Sequence, residues 1–96
     1  MGQIIWSPIA FEDLNGIYDY IAKDSPRYAR MVVRDIVAMV KSMRRFPLAG
    51  RIVPEYNRIE IRERIYKSYR IIYHLQDDDI EIIAVHHSAR ILNIEI

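Results

Sequence analysis

A chain of 96 residues, 51% hydrophobic and 28% charged, is long enough for one domain with a modest core and too apolar to be disordered. Its net charge of +1 excludes nucleic-acid binding through overall charge and leaves only local clustering. It has no cysteine, which excludes disulfides and thiol catalysis. No apolar run reaches the roughly 18 residues of a membrane span, and MGQIIWSP lacks the basic and apolar regions of a signal peptide. The expectation is a single cytoplasmic domain over residues 1–96, with no membrane association.

Gln3 to Trp6 is short and apolar and predicts a strand. Ser7-Pro8 is a helix start: serine accepts from the free amides of the first turn, and proline suits the first helical position. Ala10, Leu14, Ile17, Tyr18 and Ile21 recur at helical spacing, with Glu12, Asn15, Asp19 and Lys23 opposite them. Ser25-Pro26 repeats the start signal after a tight connection, so two antiparallel helices are predicted. The second buries Ala29, Val32, Val33, Ile36, Met39, Val40 and Met43, and presents Arg27, Arg30, Arg34, Lys41 and Arg45 on its other side. Pro47 ends it. Residues 47–57, with Gly50 and two prolines, are expected to form a loop.

Ile59 to Arg90 organises the rest of the chain. Tyr69 to Leu75 and Ile80 to His86 have strand composition, and Gln76-Asp77-Asp78-Asp79 favours a turn between them. A turn at Asp77-Asp78 pairs Leu75 with Ile80, Tyr73 with Ile82 and Ile71 with Ala84. Alternation then assigns Tyr69, Ile71, Tyr73, Leu75, Ile80, Ile82 and Ala84 to a core face. Arg70, Ile72, His74, Glu81, Ile83, Val85 and His87 take the other face. A third strand, Ile59 to Ile65, precedes these. A three-residue connection at Tyr66-Lys67-Ser68 sends Ile59, Ile61 and Ile65 to the core face, because a two-residue turn would send Arg62 and Arg64 there at the cost of burying charge. In that register Arg64 lies opposite Arg70, and Glu63 fits badly, facing the core.

The expected fold is therefore a two-layer α+β domain: an N-terminal strand, then an antiparallel helical hairpin packed on one face of an antiparallel β-sheet. The second face is expected to be open. Its Ile72, Ile83 and Val85 would form an apolar strip rimmed by Arg and His, which is the make-up of an interaction site. The terminal ILNIEI is too short for a helix and is expected to add a strand or a partner contact.

Little catalytic chemistry is legible. There is no phosphate-binding glycine loop and no metal-ligand spacing, so neither a cofactor nor a metal is expected. His86 and His87 are adjacent and must point to opposite faces of a strand; His87 is expected to face the arginines and His86 the core edge. His74 faces Glu81 as a cross-strand pair. Arg62, Arg64, Arg70 and Arg90 suit the binding of phosphates or carboxylates but cannot shuttle a proton.

WSPIAFEDLNGIYDYI, GRIVPE, IRERIYKSYRIIY and IIAVHHSAR, in that order, resemble the RelE/ParE family of bacterial toxins over nearly the whole chain. The resemblance implies the toxin of a type II toxin–antitoxin module, a helical hairpin on an antiparallel sheet, and a small antitoxin that wraps and neutralises it. RelE-like members cut messenger RNA on the ribosome, and ParE-like members poison DNA gyrase. The arginine of the YRIIY motif, Arg70, is shared by both branches. The nuclease branch implies Arg62, Arg64, Arg70, His87 and Arg90 as catalytic candidates. Ser88 and Ala89 stand where those nucleases keep a basic residue, and no tyrosine follows Tyr73, so the ending resembles the ParE-like branch. The expected partners are a cognate antitoxin and DNA gyrase, with the ribosome and messenger RNA as the alternative and operator DNA reached only through the antitoxin. A third reading is a non-toxic antitoxin-binding protein acting in operator autoregulation. The candidate binding residues are Arg62, Arg70, Ile72, Ile83, Val85 and Arg90.

Overall fold

A computed structural model describes residues 2–96. The elements run β1 (Ile4–Trp6), α1 (Pro8–Ala22), α2 (Pro26–Ser42), β2 (Arg51–Ile52), β3 (Ile61–Tyr66), β4 (Tyr69–Gln76) and β5 (Asp79–His87). Both helices begin as their serines dictate: Ser7 Oγ accepts from the Ala10 amide at 3.0 Å and Ser25 Oγ from the Tyr28 amide at 3.1 Å, each followed by proline at the first helical position. Such caps contribute about 1 kcal/mol each. The hairpin lies on a five-stranded sheet of order β1-β5-β4-β3-β2. The sheet is mixed rather than purely antiparallel, because β1 runs parallel to β5, and β2 forms within the stretch expected to be loop.

The helix layer packs Ala10, Val32, Ile36, Val40 and Met43 against Ile71, Tyr73, Ile80, Ile82 and Val85. Tyr73 is fully buried, yet its hydroxyl is satisfied. It donates to the Pro47 carbonyl at 2.8 Å and accepts from the Gly50 amide at 3.0 Å, tying the loop after α2 to the centre of the sheet.

The β4–β5 hairpin turns at Asp77-Asp78 and pairs Leu75 with Ile80 and Tyr73 with Ile82, as expected. Beyond Ile82 the pairing slips. Ile72 lies opposite Ala84, and Ile71 lies opposite Val85 rather than Ala84. Ile83 is the extra residue of a β-bulge, so Ala84 and Val85 exchange the faces that simple alternation assigns them. Val85 enters the helix-side core and Ala84 the opposite cluster. The bulge leaves backbone groups without ladder partners, and the start of α1 supplies them: Ser7 Oγ donates to the Ile83 carbonyl at 3.0 Å, and Asp13 Oδ2 accepts from the Val85 amide at 3.0 Å.

The β3 register also differs from expectation. Tyr66 pairs with Tyr69 across a two-residue turn in which Lys67 takes φ 51°. Ile65 lies opposite Arg70, Arg64 opposite Ile71 and Glu63 opposite Ile72, so Arg64 and Arg70 are not neighbours on one face. The objection to this register was the burial of Arg62 and Arg64. Neither is fully buried, and both reach acceptors: Arg64 at the last residue of α2, Arg62 in the loops beyond it. Arg62 donates to the carbonyls of Ile59 at 3.0 Å and Gly50 at 3.1 Å, and Arg64 to Ser42 Oγ at 2.9 Å.

The second sheet face is covered, not open. Val53, Ile61, Ile72, Ile83, Ala84 and Leu92 form a second core beneath the loop after β2 and the C-terminal segment. Tyr56 fastens the two covers together: its hydroxyl donates to the Ile94 carbonyl and accepts from the Ile94 amide at 3.3 Å. Residues 91–96 add no strand but lay Leu92 and Ile94 across the sheet. The expected strip is therefore interior: Ile72 and Ile83 lie under this cover and Val85 lies under the helices.

Candidate functional site

On the covered face Arg70 is 8% exposed and Glu63 1% exposed. Ionised groups at this depth persist only when each is paired. Here the pairing is complete. Arg70 Nε donates to Glu63 Oε1 at 2.5 Å, while Nη1 and Nη2 donate to the two oxygens of Glu55 at 2.7 Å each. The second oxygen of Glu63 accepts from Arg51 Nε at 2.6 Å. Four residues from β2, the following loop, β3 and β4 thus form one alternating chain of charge. The bidentate grip of Arg70 holds the Glu55 carboxyl well below its usual range, at about 2. Arg70 itself is pushed upward, mainly by Glu55 and also by Glu63, against the opposing effect of burial.

Arg70 was expected to project into solvent, free to meet a partner. The structure instead gives it two carboxylates, because the two-residue turn brings Glu63 to its face. The poor fit of Glu63 in the other register was the sequence signal for this pairing.

The remaining candidates separate. Arg62 and Arg64 lie on the helix side of the sheet, at the far end of α2. His86 and His87 exchange their expected positions, as the bulge requires. His86 lies across from Arg70 with its Nε2 at 3.2 Å from the Arg90 carbonyl, and His87 is on the helix side, edge-on to Tyr69 with ring centroids 5.5 Å apart. His87 and Arg90 line a cleft of about 650 Å³ between α1 and the end of β5, together with Asp13, Tyr20, Tyr69 and Val85. Burial raises the Asp13 carboxyl despite its hydrogen bond from the Val85 amide. Asp13 carried no signal in sequence, since on a helical wheel it is merely one more acidic residue.

A family model described as the ParE toxin of the type II toxin–antitoxin system parDE matches residues 4–92. The chain belongs to this toxin family. A curated relative, "Toxin RelE2" of Caulobacter vibrioides, is 29% identical over 92 residues, covering 95% of this chain and 100% of the relative. The fold matches the chromosomal ParDE system of P. aeruginosa with a TM-score of 0.75 at 24% identity, covering 91% of this chain and 96% of that one. It also matches a YoeB dimer from Staphylococcus aureus with a TM-score of 0.60 at 25% identity, covering 90% and 95%.

The helical hairpin on a sheet expected from the motifs is thus the architecture of the family. Within the toxin, the arginines grouped by sequence occupy three separate places: the covered face for Arg70, the corner after α2 for Arg62 and Arg64, and the cleft for Arg90. The corner has its own character. Leu48 and Ile59 are 64% and 69% exposed and offer their carbonyls to Arg62, while Ile52, 38% exposed, lies directly across the strands from it. Three residues with exposed apolar side chains thus neighbour Arg62, two through their carbonyls and one across the strands.

Proposed function

We propose that this toxin is ParE-like: it inhibits DNA gyrase by binding and is neutralised by a cognate antitoxin. The observation that carries this reading is the engagement of Arg70. Its Nε and both terminal nitrogens are held by Glu55 and Glu63, so the guanidinium shared by both branches of the family is not presented to a phosphate. Cleavage of RNA needs an acid and a base beside cations that stabilise the developing charge. Arg62, Arg64 and Arg70 do not converge on His87. A toxin that binds its target needs no such convergence. The test is a gyrase supercoiling assay run beside primer extension on translated messenger. Inhibited supercoiling with intact messenger is expected. Cuts at the ribosomal A site with supercoiling unaffected would overturn the reading and favour the cleft, where His87, Asp13, Tyr20 and Tyr69 supply groups able to exchange a proton beside the fixed charge of Arg90.

The antitoxin in this reading supplies an amphipathic segment with acidic residues. The corner of Leu48, Ile52 and Ile59 around Arg62 suits it, because apolar surface with a cationic centre is complementary to such a segment. Ile59→Asp places a carboxylate at an exposed position and should leave folding within about 0.5 kcal/mol of the parent. It should weaken the antitoxin complex by on the order of tenfold, the cost of losing one well-buried apolar contact. Equal affinity for the variant in a calorimetric titration would move the antitoxin to another surface.

A further inference from the structure

Residues 27–45 hold six of the 14 basic side chains and one of the 13 acidic ones, a local charge of +5 in a chain whose net charge is +1. The arrangement on α2 is tighter than the count. At 100° per residue, Arg27, Arg30, Arg34, Ala38 and Lys41 fall within an arc of about 80°, and Arg45 continues the line in the turn that follows. All six are exposed. From Arg27 to Lys41 the stripe runs about 21 Å along the helix at 1.5 Å per residue.

Only Lys41, in the last turn of α2, complements the helix dipole; at the start of the helix this charge opposes the fold. The first turn of α2 contains no acidic residue, and Arg27 and Arg30 sit at the positive end of the helix dipole, where cations are unfavourable. Arg27 with Arg30, and Arg30 with Arg34, are like-charge neighbours at spacings that repel. Arginines of the sheet and its loops behave differently: Arg51, Arg58 and Arg70 are ion-paired, and Arg62 and Arg64 bond to carbonyls and a hydroxyl. Along the stripe, among the described residues, the only carboxylate contact is Asp35 at 3.6 Å from Arg34, and Asp35 also accepts from the Tyr66 hydroxyl.

We propose that the outward face of α2 binds the phosphate backbone of duplex DNA. A straight row of exposed guanidinium and ammonium groups, with Asp35 at Arg34 as its one carboxylate contact among the described residues, matches a regular line of phosphates, and Ala38 allows close approach. The apolar side chain within its arc is the methyl of Ala38, too small to seat an amphipathic peptide. It also has no row of aromatics on which single-stranded bases would stack. Contacts of this kind are independent of sequence and fall with salt. The proposal does not rest on the gyrase reading, and it assigns the toxin a direct contact with DNA, where the sequence led us to expect operator DNA to be reached only through the antitoxin.

The test uses the full chain and a fluorescein-labelled duplex of arbitrary sequence, followed by anisotropy across a salt series. Binding is expected to weaken steeply with salt. The triple variant Arg27→Gln, Arg30→Gln, Arg34→Gln should lose on the order of tenfold in affinity at low salt and about 2 to 3 from the logarithmic salt slope, near 0.9 per lost phosphate contact. Its melting temperature should be unchanged or higher, since the dipole and like-charge penalties are relieved. A control, Arg58→Gln with Lys67→Gln, should bind like the parent. No binding by the parent chain, an unaltered salt slope in the triple variant, or equal competition by polyglutamate at matched charge would each overturn the proposal. Tighter binding of a single strand of the same length would also overturn it. Each of these results leaves the supercoiling assay free to give its own answer.

Discussion

Arg70→Ala is expected to destabilise the toxin by about 3–5 kcal/mol, the usual cost of removing one partner from a buried ion pair. Glu63 is 1% exposed, and in this variant it would keep only Arg51, whose side chain is largely in solvent. Glu55 would lose both of its bonds from Arg70 but is partly exposed and can be hydrated. The loss is large against the roughly 5–15 kcal/mol that holds a domain together. Denaturant unfolding measures it directly. The informative comparison is the double variant Arg70→Met with Glu63→Met. It removes both buried charges while keeping their volume and should recover most of the loss, because burial of a pair contributes little net stability even when breaking it is costly. A change below about 0.5 kcal/mol for Arg70→Ala would mean that Arg70 is solvated in solution, and Arg70 would return as a candidate for phosphate contact. Toxicity lost in Arg70→Ala cells must therefore be set against the amount of folded toxin before a role at the target is assigned.

Gly50→Ala is expected to cost about 1–3 kcal/mol, in the range of overpacked interiors. A Cβ at position 50 would stand 2.5 Å from the Tyr73 hydroxyl and 2.6 Å from the Glu63 carbonyl oxygen. The carbonyl belongs to β3 and cannot retreat without disturbing the sheet. Tyr73 cannot retreat freely either, since its hydroxyl already bridges Pro47 and Gly50. The loop must therefore move outward, carrying Leu48 and Ile52 with it and loosening the carbonyls that hold Arg62. Thermal melting should report the loss, and a titration with antitoxin should weaken if this corner is its docking surface. An unchanged melting temperature would show that the loop is not anchored through Tyr73.

The helices were legible because their signals are local. Ser7-Pro8 and Ser25-Pro26 fix where each begins, and the spacing of Ala29, Val32, Ile36 and Val40 shows which side is buried. The β4–β5 hairpin was equally legible, since Asp77 tolerates its φ of 53° and the flanking residues are apolar. At Lys67-Ser68 the turn carries neither glycine nor asparagine, so its chemistry gave no warning of a two-residue turn, and weighing the burial of Arg62 and Arg64 chose the wrong register. What decides that register is long-range: Glu63 must meet Arg70, and Glu55 and Arg51 must close around them from a loop that reads as unstructured. The bulge at Ile83 has the same origin. Its unpaired groups are satisfied by Ser7 and Asp13, more than 70 residues earlier, and no local pattern encodes that exchange. It is why Val85 turned from an expected surface residue into core and why His86 and His87 changed sides. The basic stripe of α2 was visible from spacing alone. That it is free of carboxylate partners along most of its length, while Arg70 is wholly engaged, depends on where folding carries the acidic residues. Element boundaries follow from short-range backbone chemistry, whereas the pairing of buried charges and the satisfaction of irregular backbone are settled only when distant segments meet.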